Sequence, residues 1–208
     1  IDVPRPTLEH VLESFRKLYK ECKGDISQIS VISPTKVGNA GCNTINKLIQ
    51  DYVLPEEKHR GAFIEINGVR IYKGDKVINT KNNYEVQPNI FNGNMGEVIS
   101  VDIEESKLVI DFYNIGEVEI SGKDLQAIEL GYAITTHKSQ GSTIPYVVSC
   151  IDYSHFVMLN RQQVYTMITR AKKKEIFIFE TRALNRAIKT NNVVNKRTFL
   201  YFFLVGEL

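Results

Sequence analysis

Thr135–Thr143 is a run of nine polar or small residues, Thr-Thr-His-Lys-Ser-Gln-Gly-Ser-Thr, with no acid among them. Hydroxyls, a lysine, a histidine and glycine N–H groups are the usual partners of phosphate oxygens. The run follows a candidate strand, Tyr132–Thr135. It therefore sits at a strand's carboxyl end, where α/β sheets bind ligands. A solvated loop rich in turn residues accounts for the same composition.

Arg170 is the second candidate. Residues 161–172 read as a helix with Val164, Met167, Ile168 and Ala171 on one face. Gln163, Thr166 and Arg170 then share another face, at i, i+3 and i+7. A guanidinium held on such an element can stabilise charge on a transferring γ-phosphoryl group. The competing reading is an ordinary surface arginine, with Lys172–Lys174 completing a helix C-terminus.

Positioning these groups needs a scaffold, and the hydrophobic pattern supplies one. Thr7 can cap a helix carrying Leu8, Val11, Leu12, Phe15 and Tyr19 on one face. Gln28–Ser33 reads as a β-branched strand ending at Pro34. A polar loop and a helix over about 40–52 follow, with Ile45, Leu48, Ile49 and Tyr52 aligned. The rhythm then changes. Phe63–Ile66 and Val69–Tyr72 flank Asn67-Gly68, a hairpin signal. Lys76–Thr80 and segments near 97–103, 107–113 and 117–120 read as short strands. In the segment 107–113, Leu108, Ile110 and Phe112 form a fully apolar face, and Lys107, Val109, Asp111 and Tyr113 a mixed one. Beyond residue 128 the α/β rhythm returns, with strands at Tyr146–Ile151 and Glu175–Glu180 and a helix near 182–189. An apolar segment, Phe199–Val205, closes the chain. The expected architecture is an α/β domain, residues 1–61 and 128–208, interrupted by a small all-β insert at 62–127. Lys76, Lys81 and Lys107 of the insert could touch a nucleic-acid backbone, although scattered lysines are usually solvated.

Composition narrows the class. The 208 residues are 43% hydrophobic and 24% charged, which fits a soluble globular chain. A net charge of +2 does not by itself select nucleic acid as a partner. No apolar run reaches the roughly 18–20 residues of a membrane span. Cys22, Cys42 and Cys150 are scattered without metal-ligand spacing and read as reduced thiols of a cytoplasmic protein. No metal site is expected in the chain itself.

Two segments resemble motifs V and VI of superfamily 1 DNA helicases: Ala133–Thr143 and Val164–Lys172. The chain is similar to the RecD-like group, the exodeoxyribonuclease V alpha-subunit family. Ser33-Pro34 with Gly38, Gly41 and Ile45-Asn46 resembles the motif IV region. Gly74–Val77, Asn82–Tyr84 and Phe91–Gly96 resemble the segment leading into that family's SH3-like insert. The resemblance covers most of the chain and fades after about residue 185. It implies a RecA-like parallel-sheet domain with a small SH3-like β-barrel insert, the second motor domain of an ATP-dependent DNA helicase moving 5′ to 3′. It implies single-stranded DNA contacts for Thr136, His137, Lys138 and Ser139, and coupling to the nucleotide for Gln140 and Gly141. Arg170 would be the arginine finger. Family members often carry a basic residue just before the glycine of the motif IV region, where this chain has Val37, with Lys36 one place earlier.

No G-x-x-x-x-G-K-[ST] loop occurs, and no adjacent Asp-Glu pair offers a magnesium-binding strand end. ATP and Mg²⁺ are thus expected to be held mainly by a first motor domain outside this chain. With Ile1 rather than Met first, the expectation is a C-terminal part of a longer enzyme, inactive alone. Expected partners are single-stranded DNA, that N-terminal motor domain and nuclease–helicase subunits, with no membrane. A free-standing, non-catalytic nucleic-acid-binding module also explains the missing phosphate loop, and a small-ligand α/β domain is a third reading.

Overall fold

The computed structural model describes residues 1–38, 40–55 and 61–191. The apolar segment Phe199–Val205 lies outside the described residues. Helix α1 (Leu8–Glu21) starts at a Thr7 cap closed into a capping box by His10. It leads to β1 (Ile29–Ser33) and then α2 (Cys42–Val53). The insert contributes β2 (Phe63–Ile66), β3 (Val69–Tyr72), β4 (Lys76–Asn79), β5 (Met95–Asp102), β6 (Lys107–Phe112), β7 (Gly116–Ser121) and β8 (Ile128–Leu130). The chain then forms β9 (Ala133–Thr135), β10 (Ile144–Ile151), α3 (Arg161–Ile168), β11 (Ala171–Phe179) and α4 (Thr181–Lys189).

Four strands form a parallel sheet in the order β11-β10-β1-β9. Successive residues of these strands face opposite layers. Ile29, Val31, Val148 and Cys150 pack in one core with Val11, Phe15, Leu18, Ile45 and Ile49 of α1 and α2. Ile32, Val147 and Ile151 pack in the other with Met167 of α3 and Ala183 and Ala187 of α4. The result is a helix–sheet–helix sandwich of RecA-like type. All three cysteines are buried and free. Burial pushes the Cys42 and Cys150 thiols up to about 12, so neither is a nucleophile at neutral pH.

The insert is an antiparallel five-stranded sheet, β7-β6-β5-β4-β8, with β2–β3 as a separate hairpin. The hairpin has the expected residues, and Asn67 and Gly68 both take positive φ, as a type I′ turn requires. Leu108, Ile110 and Phe112 are completely buried, and this barrel interior is continuous with the α1–α2 core. Strand pairing runs past residue 127, because Ile128–Leu130 pairs with β4. Gly131 then turns the chain into β9; a Cβ there would lie 2.8 Å from the Val77 carbonyl carbon. Lys76 is not a surface lysine. It is 1% exposed and donates to Ile26 O, Ile29 O and Ser30 Oγ.

Candidate functional site

β1 and β9 run side by side, so Ser33 and Thr135 end at the same carboxyl edge of the sheet. From there the chain does not form an open loop. Residues 136–141 are a self-bonded turn. Ser139 N donates to Thr135 O at 3.1 Å, Ser139 Oγ to Thr136 O at 2.8 Å, and Ser142 N to Ser139 O at 3.1 Å. Gly141 takes φ +80°, which an L side chain rarely adopts.

This turn sorts the expected contact residues. His137, Gln140 and Gly141 are exposed. Ser139 is fully buried, and its hydroxyl is engaged within the turn. Thr136 is 2% exposed, with an Oγ1 that has no hydrogen-bond partner. Lys138 is half-buried and reaches back to the insert, where its Nζ lies 3.0 Å from Glu129 Oε2. Lys36, in the segment after β1, holds the same carboxylate at 2.9 and 3.1 Å. Burial raises the Glu129 carboxyl, but the two lysines outweigh it and leave the group below the usual carboxylate range. The triad was not legible in the sequence, since Lys36 and Glu129 stand 93 positions apart.

Arg170 is not on the helix. α3 ends at Ile168, and Ala171 already opens β11. Thr169 ends the helix by bonding back: its N and Oγ1 both donate to Tyr165 O. Ile144 N then donates to Arg170 O at 2.9 Å, which begins the pairing of β10 with β11. Pairing with a neighbouring strand thus overrides the helical periodicity, and Lys172–Lys174 lie on a strand. The polar face expected from i, i+3 and i+7 spacing does not form either. Gln163 is buried, whereas Ile168 is 43% exposed. Both amide atoms of Gln163 lack partners.

The structure nevertheless brings Arg170 to the loop. Its Nη1 donates to Ser142 O at 3.1 Å, its Nε to Thr166 O at 3.0 Å and its Nη2 to Thr169 Oγ1 at 3.0 Å. One guanidinium thus ties the end of α3 to the residue after Gly141. Three of its five N–H donors are engaged and two are free to meet an anion.

A second polar cluster fastens the insert to the sheet. Asn46 of α2 donates to Leu130 O and Ala133 O and accepts from Ala133 N, spanning the β8–β9 junction. Asp75 is fully buried and accepts from Tyr132 Oη, Gln50 Nε2 and Tyr72 N at 2.7–2.8 Å. Burial pushes its carboxyl up to about 6. The one sequence signal for this cluster was a pair of uncharged polar residues, Asn46 and Gln50, one turn apart and next to the apolar Ile45 and Ile49, respectively, of the buried face.

Among the described residues no group of three or more His, Cys, Asp or Glu side chains could hold a metal ion, and no helix is long and apolar enough to cross a membrane. Two family models match the chain: the SH3 domain of ATP-dependent RecD-like DNA helicases over residues 45–112, and the UvrD-like helicase C-terminal domain over 130–178. The ATP-dependent RecD2 DNA helicase of Deinococcus radiodurans is 35% identical over 73% of this chain and 20% of its own length. The RecBCD enzyme subunit RecD of Buchnera aphidicola is 26% identical over 91% of this chain and 29% of its own length. The chain thus spans less than a third of either relative. The fold matches that of a Bacteroides Pif1 crystallised with single-stranded DNA, with a TM-score of 0.55 at 16% identity, over 86% of this chain and 46% of that one. Both domain models and the relatives agree, and the chain belongs to the RecD-like superfamily 1 DNA helicases.

Proposed function

We propose that this chain supplies the second motor domain, with an insert that runs from about 62 through the end of β8 at 130, of an ATP-dependent helicase that moves 5′ to 3′ on single-stranded DNA. The observation that carries the proposal is the contact of Arg170 with Ser142 O. It links the Arg170 guanidinium to the turn that also presents His137 and Lys138. In this reading ATP and Mg²⁺ sit mainly on a first motor domain, since no carboxylate cluster among the described residues would bind the metal. Mg²⁺ there would neutralise phosphate charge. The two unengaged N–H groups of Arg170 would reach the γ-phosphate as charge develops on it, with Gln140 and Gly141 beside it. Any shift of Arg170 on nucleotide loss would pull on Ser142, and the turn would pass that shift to Lys138 and His137 on the DNA. Nuclease–helicase subunits of the RecBCD type, as the Buchnera relative is named, are a further partner class in this reading.

The test is Arg170→Ala in the complete helicase. ATP-driven unwinding should fall by about 10³-fold or more, as for other arginine fingers. Affinity for single-stranded DNA should stay within about twofold, because Arg170 does not face the DNA in this scheme. Normal unwinding by the variant would remove Arg170 from the nucleotide site.

A further inference from the structure

Lys36, Glu129 and Lys138 come from three elements: the segment after β1, the last strand of the insert, and the turn after β9. We propose that the Glu129 carboxylate is an internal surrogate for a DNA phosphate, which holds Lys36 and Lys138 together and gives them up when a single strand enters. This deepens the DNA-binding reading above and rests on it.

Three observations carry it. The geometry is that of a clamped oxyanion: three N–O distances of 2.9, 3.1 and 3.0 Å from two ammonium groups onto one pair of oxygens. Phosphate oxygens accept charge-assisted bonds of the same length. The site is also reachable. The side chains of Glu129 and Lys36 are 37% and 49% exposed, so an incoming anion can compete without opening the core. Exposed ion pairs contribute only about 0–1 kcal/mol, so exchanging one anion for another costs little. Finally, among the described residues Glu129 is the only acid lining the recess where Lys36, Asn43, Thr135 and Lys138 converge. In the larger groove alongside, of about 610 Å³, Lys36, Lys47 and Arg70 are matched by Asp51, Glu65 and Glu129. A free polyanion therefore finds no excess of positive charge in the groove until Glu129 lets go.

The exchange has a consequence for selectivity. A small anion must displace the carboxylate alone, at no net gain. A phosphodiester chain anchored elsewhere on the turn presents its next phosphate at high local concentration and can displace it. Glu129 thus filters isolated anions from a continuous strand. Because Glu129 pairs through Ile78 with β4, the insert carries the surrogate and the motor sheet carries the lysines.

The experiment is binding of a short oligothymidylate across a salt series by the complete helicase and its Glu129→Gln, Lys36→Ala and Lys138→Ala variants. Glu129→Gln frees both lysines, so affinity at low salt should rise about fivefold. The slope of log K against log salt should steepen by about 0.7, the value for one more neutralised phosphate on a single strand. Lys36→Ala and Lys138→Ala should each weaken binding and flatten the slope by a similar amount. Equal or weaker binding by Glu129→Gln, with a melting temperature near wild type, would show that the carboxylate merely scaffolds the lysines, and would overturn the proposal. If both lysine variants bind as wild type does, with an unchanged slope, the DNA-binding reading itself fails. Inorganic phosphate should compete with the oligonucleotide much better on Glu129→Gln than on wild type; equal competition would count against the filter.

Discussion

The junction between the two sheets and the loop face around Arg170 both bury polar atoms, and they treat them in opposite ways. At the junction the side chains that span it are partnered, and Tyr113 Oη, whose ring lies 5.9 Å from Lys76 Nζ, is the exception. Asn46, Gln50, Asp75, Lys76 and Tyr132 all bond across it, several of them twice or more. Thr136 Oγ1 in the turn and both amide atoms of Gln163 on α3 are buried without a partner. Unpaired buried polar atoms cost about 1–3 kcal/mol each, and where a protein keeps them they call for a reason. The junction uses polarity to fix one sheet against the other. On the function proposed above, the unpaired atoms of the loop face are kept for a ligand that arrives.

The strongest way to break this contrast is at the junction. Asn46→Leu removes one side chain and orphans Leu130 O, Ala133 O and Ala133 N. Stability should drop by about 3 kcal/mol in denaturant titration. A loss under about 1 kcal/mol would mean that the junction tolerates unpaired groups as the loop face does.

Lys76 sharpens the contrast through pH. Burial pushes its ammonium down to about 7 from 10.5. Between those values the unfolded chain binds a proton that the folded chain lacks, so stability should rise with pH across that window. The slope is at most about 1.4 kcal/mol per pH unit. Asp75 has the opposite sign: its carboxyl is raised to about 6, so its stabilising share is full below the unfolded carboxylate pKa and lost as pH rises through 6. Equilibrium unfolding from pH 4 to 9, below the range where the raised Cys42 and Cys150 thiols act with the opposite sign, should therefore show a minimum near neutrality, and Lys76→Met should abolish the rise on its alkaline side. An alkaline rise that persists in Lys76→Met would assign it to another group.

The smallest effect is expected at Thr136. Thr136→Val deletes a hydroxyl with no partner and keeps the shape. Melting should show no loss, or a gain under about 1 kcal/mol. On the proposed function the hydroxyl serves the bound state, so DNA-stimulated ATP hydrolysis by the complete helicase should decline. Destabilisation with unchanged hydrolysis would place Thr136 with the structural polar groups.

Much of this was legible from local pattern. The Asn67-Gly68 hairpin, the Leu108–Ile110–Phe112 interior face and the Thr7 cap each depend on neighbours a few residues away, and the structure has them where the pattern put them. The end of α3 was not legible. Val164, Met167, Ile168 and Ala171 keep a helical spacing, but Ala171 is claimed by Ile144 of the adjacent strand. Lys76 was misread for a related reason. In a strand pattern a lysine reads as solvent-facing, and its acceptors, Ile26 O and Ile29 O, lie about 50 positions earlier.

The sequence by itself determined the residue types at the edge of the sheet and the order in which they occur: a phosphate-compatible run, then Arg170, with no phosphate loop before them. Those features are chemical and local, so no folded structure is needed to read them. Only the tertiary structure decided which of those groups are available. It buried Ser139 and Thr136, turned Arg170 onto Ser142, and closed Glu129 over Lys36 and Lys138. Availability depends on which distant segments pack together and what charge they bring, and residue spacing along one segment carries no record of that.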